Sequence, residues 1–103
     1  MYAPIDTNTI AADPSGSWAT QTLTSLNGVG LRFRGMRNAT AAFHAYETSP
    51  ECFFVLLGTV IIDTTEGSVA LTPGQFHRVE PGVTHRARVD GTATLLVLDA
   101  LDA

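Results

Sequence analysis

The feature that most limits how this chain folds is a short β-rich run followed by a turn signal, which recurs roughly every 8 to 12 residues. No stretch carries the apolar period of an amphipathic helix, which argues against a helical fold. The turns are short, whereas a parallel crossover needs about a dozen residues or more, so the strands are expected to pair antiparallel. Frequent threonine, a β-branched residue, suits the half-buried surface of a sheet. The pattern predicts an all-β jelly roll or small barrel.

Turn signals mark where the predicted strands end. Asn27-Gly28 and Asp90-Gly91 are two-residue hairpin signals, and Pro73-Gly74 and Pro81-Gly82 predict further turns. The segment 52–57 is apolar throughout, which is typical of a strand buried on both faces. Roughly eight or nine strands are expected. They are 18–26, 31–34, 40–46, 52–57, 59–63, 68–71, 75–79, 85–89 and 93–98.

Composition limits the size of the fold and its partners. The chain has 103 residues, enough for one domain, and its 45% hydrophobic and 16% charged content is that of a globular protein. We therefore expect a single domain over 1–103, with 1–15 as an extended or disordered N-terminal arm. The net charge is −4 and lysine is absent, so binding to nucleic acid or to an anionic membrane is not expected.

Few side chains in this sequence can carry chemistry. Its one cysteine, Cys52, excludes an internal disulfide framework and a cysteine-based zinc finger. The first residues show no secretory signal pattern, and no apolar run is long enough for a membrane-spanning helix, so we expect a cytoplasmic protein. Any chemistry depends largely on three histidines, His44, His77 and His85.

Candidate ligands occur where predicted strands begin. Residues two apart on a strand share a face, so His44 and Tyr46 are expected to point to the same side. Glu51 opens the next strand, and His85 opens another just after the Pro81-Gly82 turn. Two histidines and one carboxylate on separate strand starts could therefore converge on one interior point.

The first of these segments resembles the first motif of the cupins. That motif runs His-x-His, a gap of three or four residues, Glu, six residues and Gly. Here His44 and Tyr46 are followed by four residues, Glu51, six residues and Gly58. The spacing is kept, but Tyr46 stands where the motif has its second histidine.

The later segment resembles the second cupin motif, which runs Gly, five residues, Pro-x-Gly, two residues, His, three residues and Asn. Here Gly74 is followed by five residues, Glu80-Pro81-Gly82, two residues, His85, three residues and Val89. Glu80 replaces the motif proline and Val89 replaces the asparagine. The resemblance to a small single-domain cupin implies a double-stranded β-helix, that is, a jelly-roll barrel.

The same resemblance implies a metal site. Its ligands fall on His44, Glu51 and His85, and the cofactor would be one divalent transition metal: Fe, Mn, Zn or Ni. Tyr46 is a poor ligand at neutral pH, since a phenol has a pKa near ~10. We expect Tyr46 to be the catalytic residue, as a pocket-wall hydroxyl that donates a hydrogen bond or moves a proton. The alternative is a pair of buried, hydrogen-bonded histidines that bind no metal.

Other residues have two possible roles. Phe53 and Val55 share the face of Glu51 and are expected to line the pocket, whereas His77 is either structural or at the pocket margin. A second set of residues forms either a solvated strand face or a clamp for an anionic substrate. This second set is Arg32, Arg34 and Arg37.

Two functions fit these residues. One is a metal-dependent cupin enzyme that acts on a small organic molecule as a dioxygenase, isomerase, lyase or cyclase. The other is a non-catalytic, degenerate cupin that binds or senses a small ligand, with or without metal. Phe43, Phe54 and Leu56 are expected to form apolar surface outside the barrel, which favours a homodimer.

Overall fold

The computed structural model describes residues 3–10 and 18–102. It confirms the all-β class, because strands make up the regular structure apart from one turn of 3₁₀ helix at Thr7–Thr9. No helix in the described residues is long and apolar enough to cross a membrane. The strands are β1 (Trp18–Leu26), β2 (Val29–Thr40), β3 (Glu51–Leu57), β4 (Val60–Thr64), β5 (Gly67–Leu71), β6 (Phe76–Val79) and β7 (His85–Ala100).

The long strand β7 organises the sheet. All pairings are antiparallel, and the strand order is β1-β2-β7-β3-β6, with β4 pairing with both β7 and β5. The first part of β7 pairs with β4, and its last part pairs with β3, while β2 runs beside most of its length. β7 thus belongs to both halves of the jelly roll.

The Asn27-Gly28 hairpin is confirmed. Both residues have left-handed backbone conformations, with φ of 52° and 80°. Two consecutive positive φ values are the mark of the turn that matches the twist of a hairpin, and Asn-Gly is its preferred sequence. This turn places β1 beside β2 with Trp18 opposite Met36 and Thr20 opposite Arg34.

The predicted hairpin at Asp90-Gly91 is wrong, since β7 continues through it. Gly91 has a φ of +89°, and its N–H donates to the side-chain oxygen of Asn38 at 2.8 Å. The register with β2 shifts between Arg37 and Ala39, so the pair forms a β-bulge. Both flanks of Asp90-Gly91 pair with the same strand, β2, which a hairpin would prevent.

The predicted strand 40–46 is also absent. β2 ends at Thr40, and beyond it His44 forms an isolated bridge with His85. The backbone N–H of each histidine donates to the carbonyl of the other, at 2.9 and 2.8 Å. This segment and the merging of two predicted strands into β7 explain why the described residues hold seven strands instead of eight or nine.

The core lies on one face of β3 only. Glu51, Phe53 and Val55 are buried, whereas Cys52 and Phe54 are half-buried. The prediction that 52–57 is buried on both faces is therefore wrong, because the outer face is only partly covered. Of the predicted N-terminal arm 1–15, residues 3–10 contain the 3₁₀ turn, and the rest lie outside the described residues.

Candidate metal centre

Three strand starts bring the predicted ligands together. Glu51 is the first residue of β3, His85 is the first residue of β7, and the bridge to His85 holds His44 opposite it. One ligand atom from each lies within 4.8 Å of the others. Glu51 and His85 are almost fully buried, while the side chain of His44 is 39% exposed. The cluster is thus held at the inner end of a site that opens to solvent at His44.

Glu51 is the centre of the cluster. Its Oε1 lies 2.6 Å from Nε2 of His85 and 3.0 Å from Nε2 of His44. The two imidazole rings are 4.4 Å apart between centroids and tilted by 56°. One carboxylate oxygen therefore faces two ring nitrogens at once.

The second nitrogen of each ring also faces an acceptor. Nδ1 of His85 lies 2.9 Å from the carbonyl oxygen of Val83, and Nδ1 of His44 lies 3.2 Å from that of Ala42. A neutral imidazole donates through one nitrogen only, so either tautomer leaves one acceptor facing a lone pair. All contacts are satisfied only when both rings are imidazolium or when a cation lies between the ligands. A metal ion fits, because ligating histidines ordinarily donate their other N–H to a backbone carbonyl or carboxylate.

The local electrostatics keep Glu51 ionised. Burial favours the neutral carboxyl, but hydrogen bonds from His85 and His44 outweigh burial and lower the pKa of Glu51 below its usual range. Burial likewise opposes charge on His85, yet its bonds to Glu51 and to the Val83 carbonyl raise the pKa of His85. Glu51 is therefore an anion at neutral pH, which is the form that ligates a metal.

Tyr46 lies beside the cluster. Its ring centroid is 5.4 Å from that of His44 and 6.5 Å from that of His85. The hydroxyl donates to Oδ2 of Asp99 at 3.4 Å. Burial, together with the negative charges of Glu51 and Asp99, raises the pKa of Tyr46 to about 12. The phenol is thus a neutral proton donor in the absence of a metal, and its catalytic role stays a prediction.

Asp99 is a site residue that the sequence reasoning missed. It is 5% exposed, and its Oδ1 lies 2.9 Å from Nε of Arg32. The N–H of Arg32 does not point at this oxygen, so the contact is an ion pair without a hydrogen bond. Alternation along β7 was the available signal, because Leu95, Val97 and Asp99 share one face.

Two arginines of β2 point into the molecule. Arg32 lies opposite Val97 and Arg34 opposite Leu95, and both β7 residues belong to the core. Residues directly opposite on antiparallel strands share a face, so the solvated-face interpretation is wrong for these two. It holds only for Arg37, which is exposed. The run Leu-Arg-Phe-Arg was ambiguous because it does not reveal which alternating set faces inward.

A cavity of about 420 Å³ adjoins the cluster. It has the size of a small-molecule pocket. Arg34 and Tyr46 form part of its wall, next to the ligands His44 and Glu51. The complete lining is Trp18, Arg34, Ala41, Ala42, His44, Tyr46 and Glu51.

The predicted pocket-lining residues lie elsewhere. Phe53 and Val55 are buried in the core, with the Phe53 ring 6.0 Å from His85, and neither lines this cavity. His77 lies opposite Phe53 on β6 and lines a different cavity together with Ile62 and Val83. None of the three predicted residues lines the cavity beside the cluster. Alternation predicts which face of a strand a side chain is on, but it does not predict how deeply that side chain is buried.

Comparison with known proteins agrees with this architecture. A family model described as a cupin domain matches residues 35–101, well over half of the chain. The chain belongs to the cupin family. The matched range includes the three clustered residues and the whole of β7. No curated protein sequence matches this cupin.

Solved structures share the cupin fold at low sequence identity. A cupin superfamily protein from Desulfitobacterium hafniense DCB-2 has a TM-score of 0.83 at 14% identity, over 99% of this chain and 94% of that one. KdgF from Halomonas sp. has a TM-score of 0.73 at 15% identity, over 84% and 80%. A sugar phosphate isomerase of the cupin superfamily from Silicibacter pomeroyi DSS-3 has a TM-score of 0.69 at 20% identity, over 80% and 58%.

Proposed function

We propose that this cupin is a metal-dependent enzyme that acts on a small organic molecule in the cavity beside His44, Glu51 and His85. The observation that carries the proposal is the hydrogen-bond pattern of the cluster. Both nitrogens of both rings face acceptors, and a divalent cation held by the three side chains would leave each Nδ1–H to donate to its backbone carbonyl. Fe, Mn, Zn and Ni all suit two histidines and one carboxylate.

Each residue has a defined task in this proposal. A bound divalent metal supplies Lewis-acid or redox chemistry at its open positions. His44, Glu51 and His85 hold the ion, and the carbonyls of Val83 and Ala42 fix the ring orientations. The Tyr46 hydroxyl, on the cavity wall, orients the substrate or donates a proton to it.

The class of reaction stays open among dioxygenase, isomerase, lyase and cyclase. One structural neighbour is named a sugar phosphate isomerase. Its identity of 20% supports the shared fold and keeps isomerisation among the reaction types to be assayed.

Metal content tests the proposal directly. Protein purified without a chelating tag, then supplied with Fe(II), Mn(II), Zn(II) or Ni(II) and dialysed, should hold about one ion per chain, the content that a single three-ligand site implies. The His85→Ala variant should bind the ion at least about tenfold more weakly while staying folded, because a ligand is lost. His77→Ala is the matched control and should keep the wild-type metal content, since His77 lies outside the cluster.

Two results would contradict the proposal. One is a substoichiometric metal content that none of the four ions restores. The other is an unchanged metal content in His85→Ala, which would place any metal site elsewhere.

The second candidate is a non-catalytic cupin that binds a small ligand. It is favoured by Tyr46, whose raised pKa leaves a neutral phenol where the family motif has a histidine ligand. Tyr46→His separates the two candidates. If this variant binds metal and the wild type does not, the wild-type protein is the binding module.

A further inference from the structure

The side chain of Arg34 is held in place by its neighbours on β1. Its Nε donates to the hydroxyl of Thr20 at 3.1 Å, the residue directly opposite it in the sheet. Its guanidinium carbon lies 5.4 Å from the centre of the Trp18 ring, within the range of a cation–π contact. These two contacts orient the guanidinium in the absence of a ligand.

Among the described residues, only Nε of this guanidinium makes a hydrogen bond, although the charges of Glu51 and Asp99 act on the group. With Nε bonded to Thr20, the two Nη groups keep their four N–H donors, which form the end-on fork that binds two oxygens at once. In the described part of the chain no carboxylate lies within ion-pair distance of Arg34. Arg32 differs, because its Nε already faces Asp99 at 2.9 Å. Of the two inward arginines, Arg34 alone lines the cavity.

The net charge of the buried groups around the cavity also favours the binding of an anion once the cluster holds a divalent ion. Arg32 and Arg34 are balanced by Glu51 and Asp99 when both histidines are neutral. A divalent ion held by the cluster adds two positive charges to this balanced set. Unpaired charge is costly away from water, so a ligand that carries negative charge is favoured there.

We propose that Arg34 binds a carboxylate or phosphate group of the small molecule that enters the cavity. This inference deepens the proposed function and rests on it for the identity of the ligand as a substrate. Arg34, Tyr46, His44 and Glu51 share one cavity wall, so anchoring an oxyanion at Arg34 directs the rest of the molecule toward the Tyr46 hydroxyl and the cluster. The substrate is therefore a small organic acid or a phosphate ester.

Small probes test this directly. Acetate, inorganic phosphate and acetamide are titrated into metal-free protein, and their dissociation constants are measured by NMR chemical-shift changes. Acetamide has nearly the shape of acetate but no charge. Wild-type protein should bind acetate and phosphate at least about tenfold more tightly than acetamide, since hydrogen bonds between charged groups are stronger than neutral ones.

Variants assign the binding to Arg34. Arg34→Gln should weaken acetate and phosphate about tenfold or more, with acetamide unchanged. Arg34→Lys, which keeps the charge but loses the fork, should fall between the wild type and Arg34→Gln. Arg78→Gln removes the same charge from an exposed side chain of β6 and should bind like the wild type. If Arg34→Gln does not fold, Arg34→Lys decides the question.

The failures of the two proposals can be told apart. Wild-type affinity for both anions in the folded Arg34 variants would overturn the anion site, and so would equal binding of acetate and acetamide. Metal content, measured on separate preparations of the same proteins after metal is supplied, reports on the cluster independently. A protein that binds no metal but keeps Arg34-dependent anion binding retains the anion site and loses the proposed catalysis.

Discussion

At the scale of single residues, the buried carboxylates have two different surroundings. Glu51 belongs to the candidate metal centre, where it faces two histidines, and Asp99 lies beside that centre, where it faces Arg32 and the Tyr46 hydroxyl. Asp63 is satisfied by protein groups alone. It accepts hydrogen bonds from Arg86, Arg88 and the Ser68 hydroxyl, and these bonds hold its pKa well below the usual range. Asp63 therefore stabilises the fold, whereas Glu51 is available to a ligand.

Replacing Asp63 should destabilise the protein in a pH-dependent way. We expect Asp63→Asn to lower the free energy of unfolding by about 1–2 kcal/mol near neutral pH, a modest value because both arginines are partly exposed. The pKa of Asp63 is lowered on folding, so its contribution is complete above the unfolded value of about 3.9 and is lost as pH falls through the folded value.

Urea unfolding at a series of pH values measures this effect. The difference between wild type and Asp63→Asn should be constant above about pH 5 and should shrink below about pH 4. Asp90→Asn, at an exposed position of the bulge, is the control and should change stability little. A difference that does not depend on pH would contradict the assignment.

At the scale of elements, the loop between β3 and β4 passes close to β7. Gly58 has a φ of +77°, and a Cβ placed there would clash with the backbone oxygen of Thr92 and lie 2.9 Å from Cα of Ala93. Two requirements therefore coincide at Gly58, a left-handed backbone and the absence of a side chain. This accounts physically for the glycine at the end of the first motif.

Alanine at Gly58 should be costly. We expect Gly58→Ala to destabilise the protein by about 2–4 kcal/mol, from a strained backbone and from the clash with β7. Gly91→Ala is the matched control. Gly91 also has a positive φ, +89°, but a Cβ there meets nothing within 4 Å, so only the strain of about 1–2 kcal/mol applies.

Thermal or urea unfolding of both variants checks this prediction. An equal loss in the two variants would show that the close approach at Gly58 contributes nothing beyond backbone strain.

Two similar dipeptides show what a local sequence signal can and cannot predict. Asn27-Gly28 and Asp90-Gly91 are similar dipeptides, but Asn27 and Gly28 both have positive φ values and form a hairpin turn, whereas in the second pair only Gly91 has a positive φ and the chain forms a bulge. The dipeptide therefore does not determine the local backbone conformation by itself. The pairing of the segments on either side of Asp90-Gly91 is decided by β2, which lies more than 50 residues earlier in the chain. The hydrogen bond from Gly91 to Asn38 is part of this pairing.

At the scale of the whole molecule, much apolar surface is left uncovered. Leu26 is 74% exposed, and together with Val29, Leu31 and Leu98 it lines a largely apolar cleft at the β1–β2 hairpin. Phe54 and Leu56, on the outer face of β3, are half-buried. Phe43 is covered on one side by the Arg86 guanidinium, 4.4 Å from its ring. Apolar surface of this extent is typical of an interface between subunits.

We therefore propose a homodimer that forms through the apolar cleft at the hairpin. Leu98→Arg should shift the protein toward monomer, because it places a charge in the apolar cleft. Ile5→Arg, at an exposed apolar residue outside the cleft, should leave the oligomeric state unchanged. Sedimentation velocity measures both, and a wild-type protein that is monomeric over the accessible concentration range would contradict the proposal.

The sequence by itself determined the all-β class and the β1–β2 hairpin, because turn residues and alternation act over short stretches of chain. The meeting of His44, Glu51 and His85, with His85 34 positions beyond Glu51, was predicted from the resemblance to the cupin motifs. Only the tertiary structure decided which face of β2 is inside. That choice turns Arg32 and Arg34 from surface residues into site residues and brings Asp99 to Tyr46, 53 positions earlier in the chain. Alternation defines two faces of a strand equally well, and the register with β7 shows that the face of Arg32 and Arg34 is the one that carries the core residues Val97 and Leu95.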